Sequence, residues 1–212
     1  MAGGFVKDFF QTVKNHFRRY TMGYLLLTVV FLAGLAVGFG MPERMGSGNY
    51  NELSGFLSSM LKQLPTAQID GALEMTRAFY MNGILLALIW FLGFTIIGSP
   101  LVAGVLFYKG LCLGMAVAFL LQTDNTQGVI MILLTVLPQN LFLIPLFIIA
   151  SVLAVSFSLS LVQNSFGGRR GLLKGFLKYT GCFLVLLLMV LFSSYIQGYF
   201  DPWLLSLLFK MA

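Results

Sequence analysis

Ionisable residues are scarce in this chain. Only 9% of its 212 residues are charged, whereas 58% are hydrophobic. Soluble domains carry about 25% charged residues, so a soluble globular domain is excluded. The apolar runs are also continuous, without the alternation of apolar and polar residues that is typical of strands in a membrane barrel. The composition therefore predicts an all-α, polytopic membrane helical bundle.

Acidic residues and histidine are missing from the apolar runs. The only histidine, His16, lies in the N-terminal lead, and no carboxylate falls inside a predicted span. Intramembrane enzymes and proton-coupled transporters usually need such groups. The HExxH, GxSxG and Walker patterns are absent as well. We therefore expect a protein that is not an enzyme and that holds no cofactor or metal.

Cysteine is nearly absent too. Cys112 and Cys182 both lie in apolar runs, with no histidine near either of them. Free cysteine behaves as a small hydrophobic residue when it is buried. We expect two packed thiols rather than a disulfide or a metal site.

Five apolar runs are predicted to cross the membrane: residues 20–40, 79–98, 101–121, 129–162 and 179–199. Small residues four positions apart let two helices approach closely, and glycine pairs of this kind are GxxxG motifs. The residues predicted to pack in this way are Gly34 and Gly38, Gly110 and Gly114, and Ala150 and Ala154. The two glycine pairs are compatible either with packing inside the chain or with a homodimer.

The fourth run, residues 129–162, is too long for a simple span. As a straight helix it would measure about 51 Å at ~1.5 Å per residue, against a hydrocarbon core of about 30 Å. It contains Pro138 and Pro145, with Gln139 and Asn140 beside the first. Proline removes a helical N–H, and the freed carbonyls need protein neighbours inside a membrane. We predict a proline-broken, partly re-entrant fourth segment with the other helices arranged around it. A channel or transporter for a neutral solute, lined by these amides, stays open as an alternative.

The segment between the first two spans, residues 41–78, is the only sizeable polar one. It contains a predicted helix, closed by Pro65, and Thr66 is expected to cap the next helix. One face of the predicted helix is a continuous apolar stripe, made of Leu53, Phe56, Leu57, Met60, Leu61 and Leu64. This stripe must be covered by lipid, by the bundle or by another protein. Of these three, binding of another protein is the hypothesis that gives the stripe a function.

The distribution of lysine and arginine predicts the orientation. The N-terminal lead, residues 1–19, is a basic amphipathic helix with four cations, and the loop at 163–178 has four more. Segment 41–78 has three cations against four acids. The positive-inside rule therefore predicts a cytoplasmic lead, residues 1–19, and a single transmembrane domain, residues 20–212, with segment 41–78 outside. Lys109 is either a functional intramembrane charge or a side chain that snorkels to the cytoplasmic interface, and its place near the predicted cytoplasmic end favours snorkelling.

Several motifs together resemble the stage II sporulation protein M family. They are IWFLG at 89–93, IIGSP at 96–100, Lys109-Gly110, LPQN at 137–140 and PLFIIA at 145–150. Broader members of this family carry Pro-His-Gly and a following Glu where this chain has Gln139, Asn140 and Leu143. The chain lacks those titratable groups and looks like the variant of endospore-forming bacteria.

The resemblance implies a role in engulfment of the forespore. It implies a polytopic scaffold in the mother-cell membrane at the engulfing septum, with its N-terminus in the cytoplasm. Its implied partners, besides the lipid bilayer, are two peptidoglycan hydrolases, stage II sporulation proteins D and P. Their peptidoglycan remodelling thins the septal wall so that the membrane can move around the forespore. The apolar stripe on segment 41–78 would face these partners.

Overall fold

The computed structural model describes residues 20–45, 55, 70–95, 98–123, 129–130, 132–163 and 169–200. The α-helices are α1 (Thr21–Phe39), α2 (Met41–Arg44), α3 (Gly71–Leu92), α4 (Gly98–Thr123), α5 (Leu137–Val162) and α6 (Arg169–Tyr195). A π-helical turn at Ile132–Val136 precedes α5, and another at Ile196–Phe200 follows α6. No strand occurs in these ranges. The all-α prediction is therefore confirmed.

Five helical stretches of the described chain are long and apolar enough to cross a membrane. They are Thr21–Phe39, Gly71–Leu92, Gly98–Gln122, Leu137–Val162 and Arg170–Phe200. The number of spans is the one that the sequence predicts. Contacts between the helices show that α1, α4 and α6 run in one direction and that α3 and α5 run in the other.

Helix α5 lies at the centre of this bundle. In its most apolar window 56% of the residues are buried, against 22–28% in the other four spans. It packs against α1, α3, α4 and α6. The sequence prediction that the other helices surround the fourth run therefore agrees with the structure.

The prolines do not break the fourth run, contrary to the prediction. Pro138 stands in the first turn of α5, where a missing N–H costs no intrahelical bond. Pro145 lies inside the helix, which nevertheless continues to Val162. The irregular part is the π-helical turn at Ile132–Val136, one turn before Pro138. The described part of the run is thus one crossing helix with a π-helical entry, rather than a broken, partly re-entrant segment.

The second span starts earlier than the sequence predicts. Asp70 caps α3, because its Oδ1 accepts hydrogen bonds from the backbone N–H groups of Ala72 (3.0 Å) and Leu73 (3.4 Å). The helix that carries Leu73 and Met75 therefore begins at Gly71, and Thr66 is not its cap. Residues 71–78, assigned by sequence to the polar segment, form the first two turns of this helix.

A short turn at 93–95 joins α3 to α4 and is fixed to the centre of the bundle. The Thr95 hydroxyl donates to the carbonyl of Leu92 (2.8 Å), and the Ser158 hydroxyl of α5 donates to the carbonyl of Thr95 (2.7 Å). A Cβ added at Gly93 would overlap the Tyr179 hydroxyl. Helix α3 consequently ends at Leu92 rather than at Gly98, and α4 begins at Gly98 rather than at Leu101.

Candidate functional site

The two GxxxG motifs lie against each other inside the chain. A Cβ added at Gly34 or Gly38 would overlap the backbone carbonyl of Phe107 or Leu111 in α4. Likewise, a Cβ added at Gly110 or Gly114 would overlap the carbonyl of Phe31 or Leu35 in α1. The four glycines thus bring the backbones of α1 and α4 into direct contact, which is the close packing that small residues permit in membranes.

This pairing bears on self-association. Gly34, Gly38, Gly110 and Gly114 each face a helix of their own chain. A homodimer built on either motif would have to separate α1 from α4. Any homodimer of this protein therefore needs another surface.

A lysine is held in the middle of the bundle. Lys109 is the twelfth residue of the 26-residue helix α4, about 16 Å from its start at ~1.5 Å per residue. Its Nζ donates a hydrogen bond to Asn82 Oδ1 of α3 at 2.6 Å. The same Nζ lies 5.0 Å from the ring centroid of the buried Phe147 of α5. The snorkelling predicted for Lys109 is therefore wrong, because its cation turns inward to an amide and a ring.

Asn82 is oriented for this contact. Its Nδ2 donates to the carbonyl of Ala78 one turn earlier in α3, at 3.0 Å. The amide oxygen is thereby left free to accept from Lys109. Together, Asn82, Lys109 and Phe147 connect the three helices α3, α4 and α5 near the middle of each helix, and we call them the lysine cluster. The lysine ammonium group donates hydrogen bonds and accepts none. In this position it can hold helices together through their acceptor groups, or it can bind an anion.

The sequence interpretation missed Asn82, and the misplaced start of α3 explains why. With a span predicted at 79–98, Asn82 falls near the membrane surface, where an amide is unremarkable. The helix starting at Gly71 puts it in the middle instead. A polar amide in one apolar run and a lysine in another were the available signal, because such groups pair across membrane helices.

The Pro-Gln-Asn motif of α5 makes structural bonds. The Asn140 Nδ2 donates to the carbonyl of Val136 at 2.7 Å, at the junction between the π-helical turn and α5. The backbone carbonyl of Gln139 accepts from the Ser193 hydroxyl of α6 at 3.2 Å. Neither the groove beside Gln122 nor the groove beside Arg170 is lined by Gln139 or Asn140.

The small residues of α5 lie in the centre of the bundle. Ala150 and Ala154 are fully buried. A Cβ added at Gly93 would lie only 3.3 Å from the Cα of Ala154. Ser151 is equally buried, and its hydroxyl has no hydrogen-bond partner.

Cys112 and Cys182 are free thiols. No group of potential metal ligands occurs in the described ranges.

The predicted partner-binding stripe is not part of this geometry. Its residues lie outside the described residues, and so does the N-terminal lead. The residues concerned are Leu53, Phe56, Leu57, Met60, Leu61 and Leu64. The structure does describe the flanks of this stripe, up to Met45 on one side and from Asp70 on the other.

Comparison with known families identifies the chain's relatives. A family model for stage II sporulation protein M matches residues 27–202. The match runs from the first span to beyond the last and covers most of the 212 residues, so the chain belongs to the stage II sporulation protein M family. No curated protein and no solved structure matches the chain. Membership makes it a sporulation-related, multi-pass membrane protein.

Proposed function

We propose that this member of the stage II sporulation protein M family is a non-enzymatic scaffold. It recruits and positions peptidoglycan hydrolases, the stage II sporulation proteins D and P, for septal thinning during engulfment of the forespore. The family match carries this proposal, because it includes the whole segment between the first two spans along with the bundle. The proposed location is the mother-cell membrane at the engulfing septum.

The bundle supports such a role by fixing both ends of the proposed docking segment. On one side, α2 follows α1 directly and packs against α4. On the other side, α3 begins at the Asp70 cap, and Gly71 lies against Gly198 of the π-helical turn after α6. A segment held at both ends can present a surface at a defined place, which lowers the entropic cost of binding a partner.

The charges of the described residues support an orientation with this segment outside. Three acids, Glu43, Asp70 and Glu74, and two cations, Arg44 and Arg77, lie at the end of the bundle that flanks this segment. Arg170, Lys174 and Lys178 lie at the opposite end, in the first turns of α6. Because cytoplasmic ends carry the excess of lysine and arginine, we place Asp70 on the wall side and Arg170 in the cytoplasm.

The test is recovery of the two hydrolases with the purified scaffold. The variant combines Phe56→Asp with Met60→Asp, which puts two charges into the apolar stripe. If the stripe is the docking surface, recovery of partner falls about tenfold or more, since buried aromatic anchors carry much of an interface's binding energy.

A matched control separates docking from a general effect of charge. Ser58→Asp combined with Ser59→Asp adds the same two charges to the opposite face of the same predicted helix. This control is expected to recover both hydrolases at the wild-type level. Wild-type recovery with the Phe56/Met60 variant, in protein that still inserts in the membrane, would refute the proposed surface.

A further inference from the structure

An apolar groove opens at the basic end of the bundle, where three elements meet. It has a volume of about 730 Å³ and lies between the turn at Phe94, the last turns of α5 at Phe157 and Leu161, and the first turns of α6 at Arg170, Leu173 and Phe176. We call it the basic-end groove. Its size falls in the range of about 300–1,000 Å³ that is typical of small-molecule sites.

The floor of the groove is a rigid set of aromatic rings. Phe94 is in edge-to-face contact with Phe157, with centroids 5.7 Å apart, and its ring lies 5.4 Å from that of Phe176. Tyr179 stacks on Phe157 at 4.3 Å and donates a hydrogen bond to the carbonyl of Trp90 at 2.9 Å. These contacts give the floor of the groove a defined apolar shape.

The charges at the groove are all of one sign. Arg170 lines it directly, and Lys174 and Lys178 follow at four-residue spacing on the exposed surface of α6. No acidic residue occurs in the sequence between Asp124 and Asp201, which includes all of α5 and α6. The turn at 93–95 carries no charge either. The groove therefore combines an apolar interior with a cationic rim that no nearby carboxylate of these elements can neutralise.

The position of the groove indicates which kind of ligand binds in it. It lies at the ends of three segments that can cross a membrane, next to Trp90 and Tyr179, and such rings are enriched at the headgroup level. Lipid tails are the apolar material present at this depth. Phosphate is the anion present beside them, and guanidinium pairs well with it.

We propose that the basic-end groove binds one anionic phospholipid. An acyl chain lies against Phe94, Phe157 and Leu161, and the headgroup phosphate accepts hydrogen bonds from the Arg170 guanidinium. The site is distinct from the proposed docking segment between the first two spans, whose described flanks, Met45 and Asp70, lie at the other end of the bundle. It does not depend on the scaffold function.

Native mass spectrometry of the full chain in detergent tests this site. The protein is titrated with phosphatidylglycerol and, separately, with phosphatidylcholine of the same acyl chains. We expect one phosphatidylglycerol to be retained in preference to phosphatidylcholine. Arg170→Gln should lower the retained fraction about fivefold, since one basic residue contributes on the order of 1 kcal/mol at an anionic surface.

Two further variants distinguish the groove from a general attraction to charge. Leu161→Trp keeps the rim cation but fills the groove, and it should also reduce retention of phosphatidylglycerol. Arg77→Gln removes one cation at the other end of the bundle, where Arg77 pairs with Glu74 at 3.2 Å, and it should leave retention unchanged.

Four results would overturn the proposal. The first is equal retention of the two lipids, and the second is an equal loss with Arg77→Gln. The third is displacement of the lipid by inorganic phosphate, which would show a site for the free anion. Wild-type retention by Leu161→Trp would likewise exclude an acyl chain from the groove.

Discussion

At the scale of single residues, the lysine cluster places a cation among apolar helices, which costs free energy. A lysine at the centre of a membrane helix costs about 2.5–3.5 kcal/mol on insertion scales. The hydrogen bond to Asn82 and the ring of Phe147 offset part of this cost. Among the described residues no carboxylate contacts Lys109, so its stability depends on the neutral amide.

Exchanging the two polar partners separately tests that dependence. Asn82→Leu leaves the cation without its acceptor and should lower the free energy of unfolding by about 1–3 kcal/mol. Lys109→Met removes the charge as well as the bond, and it should cost less or stabilise the bundle. Thermal unfolding in detergent measures both.

The double variant gives the decisive comparison. Asn82→Leu combined with Lys109→Met should be more stable than Asn82→Leu alone, because no unpaired cation remains. If the effects of the two substitutions instead add to within about 0.5 kcal/mol, the residues are not coupled and the cluster does not brace the bundle.

At the scale of elements, α1 and α4 are held together by backbone contact along their glycines. Helices in lipid gain no hydrophobic energy by associating, since the lipid tails are equally apolar. Close approach of α1 and α4 along their glycines supplies dispersion contacts instead. The exposed faces of these helices, with Met22, Leu25 and Leu101 among them, are left for lipid.

Glycine-to-alanine exchanges separate packing glycines from incidental ones. Gly38→Ala and Gly114→Ala should each lower the free energy of unfolding by roughly 1–3 kcal/mol, because the added methyl overlaps a backbone carbonyl. Gly104→Ala in α4 and Gly181→Ala in α6 are matched controls with nothing within 4 Å of the added methyl. They should be neutral or stabilising by up to about 1 kcal/mol. Equal losses in both groups would mean that the glycines do not pack the helices.

The elements also show what could be predicted from the sequence. The spans and the small residues within them are visible because apolar runs and four-residue spacing are local patterns. The true start of α3 was hidden because Glu74 and Arg77 resemble a polar loop, although they lie on the first turns of a helix capped by Asp70. The prolines were misleading for a related reason. Pro138 occupies a first turn and needs no donor there, a fact that depends on where the helix begins.

At the scale of the whole molecule, the two ends of the bundle differ in charge. The described acids lie with Arg44 and Arg77 where the chain leaves α1 and enters α3, and the cations of α6 lie at the other end, where no acid is described. Five helices that are long and apolar enough to cross a membrane connect these ends in alternating directions. The positive-inside rule then predicts one orientation for the whole protein.

Cysteine labelling in intact cells checks this orientation. After Cys112→Ala and Cys182→Ala, single cysteines are introduced as Ser47→Cys, Thr126→Cys and Gly168→Cys. An impermeant maleimide should label the first two from outside, and the third only after the membrane is permeabilised. Labelling at position 168 in intact cells would contradict the five-span orientation and the placement of the docking segment.

The approach of Gly71 to Gly198 has a mechanical consequence. The first turn of α3 and the π-helical turn after α6 lie backbone against backbone, where a Cβ on either glycine would meet the other's carbonyl. A protein that pulls on the segment ending at Asp70 therefore loads two helices from distant parts of the chain at once. The tension is shared between them, and α3 is not drawn out of the membrane alone. For the hydrolase partners proposed above, the bundle would then be a fixed anchor rather than a flexible tether.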